Sequence, residues 1–308
     1  MRENDIIELT FNLTWNCPIK CDYCYRSRIN DNKSPVVLTE ENLRRECEKA
    51  VQLGINQFRF SGGEPLSIGS KLFGYADIVF DITGIKPILL TSGYLITDEW
   101  LQKSRNRFST IAISVDNPLK CSKSKKILEM IRENTSDELP LTYGVTLIEP
   151  NYFDRIYDLF NYMYDYVDKK FMPQLDYPCL GNFIQPSQMQ LHDLIINTKS
   201  IVKKYGLIPY YFVYLVGSPL WINGNVQRFV LNLHPEGNYQ IYDKMEDRLE
   251  VEYRWREYIL SQQKQSNLCQ SCDWISVCRH HPLWDIRYDW CELRKAIFEG
   301  MLLGLEDK

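Results

Sequence analysis

The sequence predicts an α/β fold: a parallel sheet with helices outside it, closing only part of a barrel. Two observations carry that expectation. Six strand-then-helix units follow one another up to Tyr205, and serial β–α units bury a parallel sheet under their own crossover helices. Six units are fewer than the eight that close a TIM barrel. A third observation bounds the fold: beyond residue 215 the alternation breaks, and four cysteines gather near the end of the chain.

The elements follow in order. Residues 6–13 read as a strand. Thr39 caps a helix running to about Leu53, with Leu43, Cys47 and Val51 on one face. Strands at 56–60, 87–91, 110–115, 141–147 and 170–175 alternate with helices at 71–82, 97–104, 122–134, 153–166 and 185–205. After the break, 228–233 and 238–242 read as a hairpin across His234-Pro235-Glu236-Gly237. A helix at 253–263 and a last one at 292–303 follow. The expected division is a barrel over 1–214 and a small C-terminal domain over 215–308.

Composition narrows the function. Hydrophobic residues make up 44% and charged residues 25%, with a formal net charge of −4, as in an ordinary soluble domain. The absence of a basic stripe argues against nucleic acid. No apolar run reaches the roughly 18 residues of a membrane span. The opening Met1-Arg2-Glu3-Asn4-Asp5 is too polar for a secretion signal, so the expected location is cytoplasmic. Ten cysteines are many for a reducing compartment, and seven of them fall in two clusters. Clustered thiols there point to metal or catalysis rather than to disulfides.

Cys17, Cys21 and Cys24 have the spacing C-x3-C-x2-C just after the first strand. That is the end of the sheet where α/β folds keep their active sites. Three thiolates in one tight loop suit an iron–sulfur cluster, which ordinarily takes four cysteine ligands. Supplying three leaves one iron open to an outside ligand, as catalysis requires. Zinc is the competing reading, but a structural zinc site takes four closed ligands and no histidine lies near this loop.

This loop, with Tyr23 before its third cysteine, resembles the signature of the radical S-adenosylmethionine (SAM) superfamily. Ser61-Gly62-Gly63-Glu64-Pro65 after the second strand is similar to that family's GGEP loop. Thr91-Ser92-Gly93 ends the third strand, where relatives often carry Thr-Asn-Gly, and Ser114-Val115-Asp116 ends the fourth. The likeness runs over about residues 6–180. It implies a partial (β/α)6 radical SAM barrel, a [4Fe–4S] cluster on Cys17, Cys21 and Cys24, and SAM chelated to the open iron. It implies reductive cleavage of SAM to a 5′-deoxyadenosyl radical that takes hydrogen from a substrate C–H bond. An electron donor such as flavodoxin or ferredoxin is the implied partner.

Within that resemblance, each residue has a physical role. Gly62 and Gly63 admit close approach of the backbone to the ligand. Glu64 accepts a charge-assisted bond from the ammonium of SAM. Tyr23 lies against the adenine. Ser92, Ser114 and Asp116 meet the ribose and methionine parts. The structural alternatives are that Ser92 holds a turn and that Ser114 and Asp116 cap the next helix.

Cys269, Cys272, Cys278 and Cys291 form C-x2-C-x5-C-x12-C. Four soft thiolates suit zinc or an iron–sulfur cluster, and the zinc reading can recruit His280 or His281. The arrangement resembles a SPASM extension that has been trimmed, or a twitch-like domain. Tyr242 and Pro282 stand where the full pattern has cysteines, and no cysteine lies between Cys179 and Gly237. All of these belong to the family's first auxiliary cluster, so the resemblance implies one auxiliary [4Fe–4S] cluster on the four late cysteines. Trp274, Trp284 and Trp290 are the expected core of the small domain.

Cys47 reads as core and Cys121 as a loop thiol. Cys179, after the sixth strand, is a candidate hydrogen donor to a substrate radical, against the plainer reading of a packed loop residue. The expected function is oxidative modification or cross-linking of a ribosomally made peptide. The chain begins directly at its first strand, so a separate protein is expected to bind any leader. The alternative substrate is a sugar-derived small molecule, dehydrogenated or epimerised. A non-catalytic iron–sulfur carrier would require a vestigial SAM loop, against the intact Gly62, Gly63 and Glu64.

Overall fold

The computed structural model describes residues 6–19, 21, 24, 36–116, 121–143, 145–147, 150–166, 174–176, 186–206, 228–233, 235, 239–241, 244–246, 271–274 and 289–307. The chain divides into two compact units. One comprises Met1–Val115, Glu129–Gly144 and Gln227–Val251; the other comprises Asp116–Leu128, Val145–Val226 and Glu252–Lys308.

The first unit is built on one sheet. Its strands are β1 (Ile6–Asn12), β2 (Gln57–Ser61), β3 (Ile88–Thr91), β4 (Thr110–Ile113) and β5 (Leu141–Tyr143). Each pairs in parallel with the next. Helices α1 (Glu40–Gln52), α2 (Lys71–Thr83) and α3 (Asp98–Ser104) separate the first four strands, and α4 (Ser122–Asn134) precedes β5 in the chain. This is the α/β class expected from the alternation, with five strands in one parallel arrangement.

Side-chain parity explains the layering. Along β1 to β5 the buried apolar residues are Leu9, Phe11, Phe58, Phe60, Leu89, Ile111, Ile113 and Leu141, at alternate positions that share one face. Leu43, Cys47 and Ala50 of α1 and Leu72, Ala76 and Val79 of α2 are buried with them. Phe11 stacks on Phe58 at 6.3 Å and meets Phe60 edge-on at 6.1 Å. Each fully buried side chain of this size contributes about 1.5–3 kcal/mol. The opposite parity of β1 carries Glu8, Thr10 and Asn12, all buried. There Glu8 pairs with Arg59 of β2 at 2.9 Å and accepts the Thr10 hydroxyl at 3.0 Å.

Helix starts follow the expected chemistry. Thr39 caps α1 by accepting the Asn42 N–H at 3.2 Å, and Thr97 caps α3 by accepting the Trp100 N–H at 3.2 Å. Gly84 ends α2 in a left-handed conformation, with φ at 71°, which glycine adopts without strain.

Two differences from the sequence expectation stand out. β8 (Arg228–Leu233) runs parallel to β1, in register from Ile6↔Arg228 to Phe11↔Leu233. It thus covers what would otherwise be an open strand edge. β8 does turn back on β9 (Tyr239–Ile241), as the hairpin reading expected, and a further strand β10 (Lys244–Glu246) pairs with β9. The strand expected at 141–147 is two strands. β5 pairs with β4, while β6 (Val145–Leu147) pairs with β7 (Gln174–Asp176) in a separate two-stranded sheet. The helix expected at 253–263 lies outside the described residues.

The second unit contains β6, β7 and the helices α5 (Ile156–Tyr166), α6 (Gln188–Tyr205) and α7 (Asp289–Glu306). α6 opens with a capping box between Ser187 and Gln190. Buried Asn197 accepts the Tyr157 N–H at 3.0 Å, which ties α6 to the start of α5. α7 packs along α6 at a glycine seam. A Cβ on Gly300 would stand 2.6 Å from the Ile195 carbonyl oxygen, and one on Gly304 would stand 2.7 Å from the Cβ of Val202.

Candidate active site

The site is assembled at the C-terminal ends of β1, β2 and β3, within the first unit. Beyond β1 the chain stays tied to the end of β2: the Leu13 N–H donates to Ser61 O at 2.9 Å. The Asn16 N–H donates to the Thr14 hydroxyl at 3.1 Å, which turns the chain into the cysteine loop. Two backbone bonds then dock the Gly-Gly-Glu turn onto the root of that loop. The Gly63 N–H donates to Thr14 O at 2.5 Å and the Glu64 N–H to Asn16 O at 2.7 Å.

The two glycines make this docking possible. A Cβ on Gly62 would stand 2.7 Å from Thr14 O, and its φ of 133° already disfavours any other residue. The close approach expected of Gly62 and Gly63 is therefore, in this structure, an approach to the chain's own backbone beside Cys17.

Glu64 is 99% buried, at 1% exposure, yet it is fully supplied with donors. It caps the short 3-10 turn Pro65–Ile68, and Oε1 accepts the Leu66 N–H at 3.0 Å. Oε1 also accepts the Thr91 hydroxyl at 2.7 Å. Oε2 accepts the Ser92 N–H at 2.8 Å and the Ser92 hydroxyl at 2.5 Å. Ser114 sits beside the same strand end, its N–H donating to Thr91 O at 2.8 Å. Ser114 and Asp116 are both exposed, and Asp116 groups with the second unit.

Cys17 is exposed and Cys21 and Cys24 are half-buried. The Cys24 N–H donates to Cys21 O at 3.0 Å, which closes a turn between them. Among the described residues no three His, Cys, Asp or Glu side chains form a group arranged to hold a metal ion. The fit to an iron–sulfur cluster therefore rests on the donor chemistry of three thiols in one loop and on the glycine turn docked against its root. Tyr23 lies outside the described residues.

Of the late cysteines, Cys269 and Cys278 lie outside the described residues, as does Cys179. Cys272 is half-buried in the turn at 271–274, and Cys291 lies in the first turn of α7. The ring of Trp274 stacks on Phe298 of α7 at 5.4 Å, so the turn carrying Cys272 is fastened to the helix carrying Cys291.

Two other thiols differ in their environment. Burial, with Glu46 and Glu48 beside it, pushes the Cys47 thiol up to about 12. Hydrogen bonds from the Ser124 side chain and backbone, and from the Lys123 backbone, hold Cys121 below the usual thiol range.

Thr91, whose hydroxyl donates to Glu64, is a residue that the sequence left as a motif letter. It is 3% exposed and shares the buried parity of β3 with Leu89. A hydroxyl at an apolar position needs a partner, and that parity was the available signal.

Comparison with known proteins gives the following. Residues 11–140 match the family model described as the Radical SAM superfamily. The sequence is 28% identical over 174 residues to a GTP 3′,8-cyclase of Clostridium perfringens (strain SM101 / Type A), covering 52% of this chain and 52% of that one. The chain thus spans about half the length of the curated relatives it matches. The fold matches native anSMEcpe with bound AdoMet and Cp18Cys peptide, at a TM-score of 0.65 and 16% identity over 98% of this chain and 99% of that one. It also matches Streptococcus suis SuiB bound to precursor peptide SuiA, at a TM-score of 0.58 and 12% identity over 90% of this chain and 71% of that one. At such identities the likeness speaks for the fold.

Proposed function

Residues 11–140 match the radical SAM superfamily model, and from that premise we propose that this chain is a radical SAM enzyme that modifies a ribosomally made peptide at an unactivated carbon. The observation that carries the reading is the buried Glu64 carboxylate, on a turn docked backbone to backbone against the cysteine loop.

When bound, a [4Fe–4S] cluster and SAM would together supply radical chemistry at a substrate C–H bond. Cys17, Cys21 and Cys24 would hold the cluster through their three thiolates. Glu64 receives the ammonium of SAM in a charge-assisted bond. Gly62 and Gly63 keep that carboxylate close to the loop. Tyr23 would lie along the adenine, and Ser114 would meet the ribose or methionine part. Cys269, Cys272, Cys278 and Cys291 would hold a second cluster, which would supply an electron acceptor. Flavodoxin or ferredoxin is the electron donor, and a separate protein can bind the leader.

The peptide reading is supported by fold likeness, along most of the chain, to two proteins whose structures contain peptides. A second reading, a nucleotide substrate, is favoured by the 28% identity to the GTP 3′,8-cyclase, over 52% of the chain. If the substrate is instead a small molecule that is epimerised, Cys179 is the proposed hydrogen donor.

The test is reductive incubation of cluster-reconstituted protein with SAM. Wild type should form 5′-deoxyadenosine. The triple variant Cys17→Ala, Cys21→Ala, Cys24→Ala should form none, yet should retain iron at the late cysteines. Failure of wild type to form it overturns the enzymatic reading. Adding a precursor peptide or GTP and weighing the products separates the two substrate classes.

A further inference from the structure

We propose that Ser92 is a latch on Glu64, its hydroxyl holding a place on the carboxylate that a bound ammonium group takes over. This rests on the reading that Glu64 receives the amino group of SAM. A carboxylate offers about four lone-pair sites. Here the chain's own donors meet all of them. Oε1 takes the Leu66 N–H at 3.0 Å and the Thr91 hydroxyl at 2.7 Å. Oε2 takes the Ser92 N–H at 2.8 Å and the Ser92 hydroxyl at 2.5 Å. A cation that binds this carboxylate needs one donor to leave.

Three of the donors are fixed. The Leu66 and Ser92 N–H groups belong to the backbone of the 3-10 turn and of the end of β3. The Thr91 hydroxyl oxygen already accepts the Gly93 N–H at 3.1 Å, which leaves its proton for Glu64, and the side chain is 3% exposed. The Ser92 hydroxyl is different. It is half-buried, and it also accepts the Tyr94 N–H, at a long 3.4 Å. Rotation about a single χ1 turns it away between staggered wells. That rotation opens a site on Oε2 without moving the backbone. Thr91 then acts as a positioning residue, keeping Oε1 saturated so that the cation meets Oε2.

The latch has a sign opposite to that of direct contact. If the Ser92 hydroxyl touches SAM, removing it weakens binding. If it competes for Oε2, Ser92→Ala tightens SAM binding, by about threefold to tenfold, the share of a hydrogen bond of about 1 kcal/mol. The gain should be absent for a SAM analogue lacking the amino group, which has nothing to donate to Oε2. A merely structural effect would move both ligands alike. Thr91→Val should weaken SAM binding, and Thr91→Ser should restore it.

Equilibrium dialysis of cluster-reconstituted protein against SAM and the deamino analogue tests this, with Glu64→Ala measured in parallel. Ser92→Gly removes the same hydroxyl and serves if the alanine variant does not fold. Tighter SAM binding with unchanged analogue binding is the expected result. Weaker or unchanged SAM binding in the Ser92 variants, with Glu64→Ala still impaired, overturns the latch and leaves the Glu64 role standing. Unchanged SAM binding in Glu64→Ala overturns both.

Discussion

The Cβ that Gly63 lacks would stand 2.1 Å from the carbonyl oxygen of Asn16. No side chain fits there, so the residue before Cys17 and the residue before Glu64 are held together by backbone alone. The root of the cysteine loop and the backbone of Glu64 are thereby parts of one corner.

The first prediction follows from that contact. Gly63→Ala should push Asn16 away, at a strain of about 1–3 kcal/mol or more. Iron bound at the first cysteine cluster and SAM affinity should fall together, because the same displacement moves Cys17 and Glu64. Iron analysis and SAM dialysis check it. Normal values for both would show that the corner tolerates a Cβ.

Gly74 gives the contrasting case. It lies exposed within α2, with ordinary φ and nothing within 4 Å of a built Cβ. Gly74→Ala should stabilise the protein by about 0.5–1 kcal/mol, the helix-propensity difference between the two residues. A lower denaturation midpoint in urea would contradict this.

What the sequence made legible was local. Strand alternation marks Phe58 and Phe60 on one side of β2, and Thr39 and Thr97 announce helix starts because their hydroxyls replace missing partners. Gly62 and Gly63 were readable as a close approach, though the partner turned out to be the backbone of Thr14 and Asn16. The pairing of β8 with β1 was not legible. Over two hundred residues separate Phe11 from Leu233, and no local pattern in Arg228–Leu233 says which strand it will lie beside. The division of 141–147 was hidden for the same reason: a run of strand-forming residues looks the same whether it pairs with one neighbour or two. The second donor to Glu64 Oε1 was signalled only by the apolar parity that Thr91 shares with Leu89, which names no partner for its hydroxyl.

Thiol reactivity supplies a pH prediction. Cys121, its thiolate favoured by the Ser124 and Lys123 hydrogen bonds, should be alkylated by iodoacetamide at a lower pH than an ordinary thiol. Cys47 should resist alkylation in the native protein up to strongly alkaline pH, since its thiol is pushed from 9.0 up to about 12. The sign for stability follows. The raised folded value means that Cys47's contribution is fully present below about pH 9 and is lost as pH rises towards about 12. Peptide mapping after alkylation across this range checks the order. Equal rates for the two cysteines in folded protein would refute it.

The last prediction concerns the late cysteines. Trp274 stacks on Phe298 at 5.4 Å, and Phe298 is buried in the helix that packs on α6 through Gly300 and Gly304. The turn carrying Cys272 and the helix carrying Cys291 therefore have a packing frame of their own, independent of any metal. Replacing Cys269, Cys272, Cys278 and Cys291 by Ala should leave that frame folded, since apolar packing supplies it. SAM cleavage should continue, because the Glu64 corner belongs to the other compact unit. On the proposal that these four cysteines hold an electron acceptor, product formation should fall. Removal of the frame instead, by Phe298→Ala, should destabilise the unit by about 3–5 kcal/mol and lower folding and both activities together. Electron paramagnetic resonance of the reduced Cys17, Cys21 and Cys24 triple variant should then show the signal of the second cluster alone. Stoichiometric zinc with no such signal would remove the redox role from these four residues and leave them a structural one.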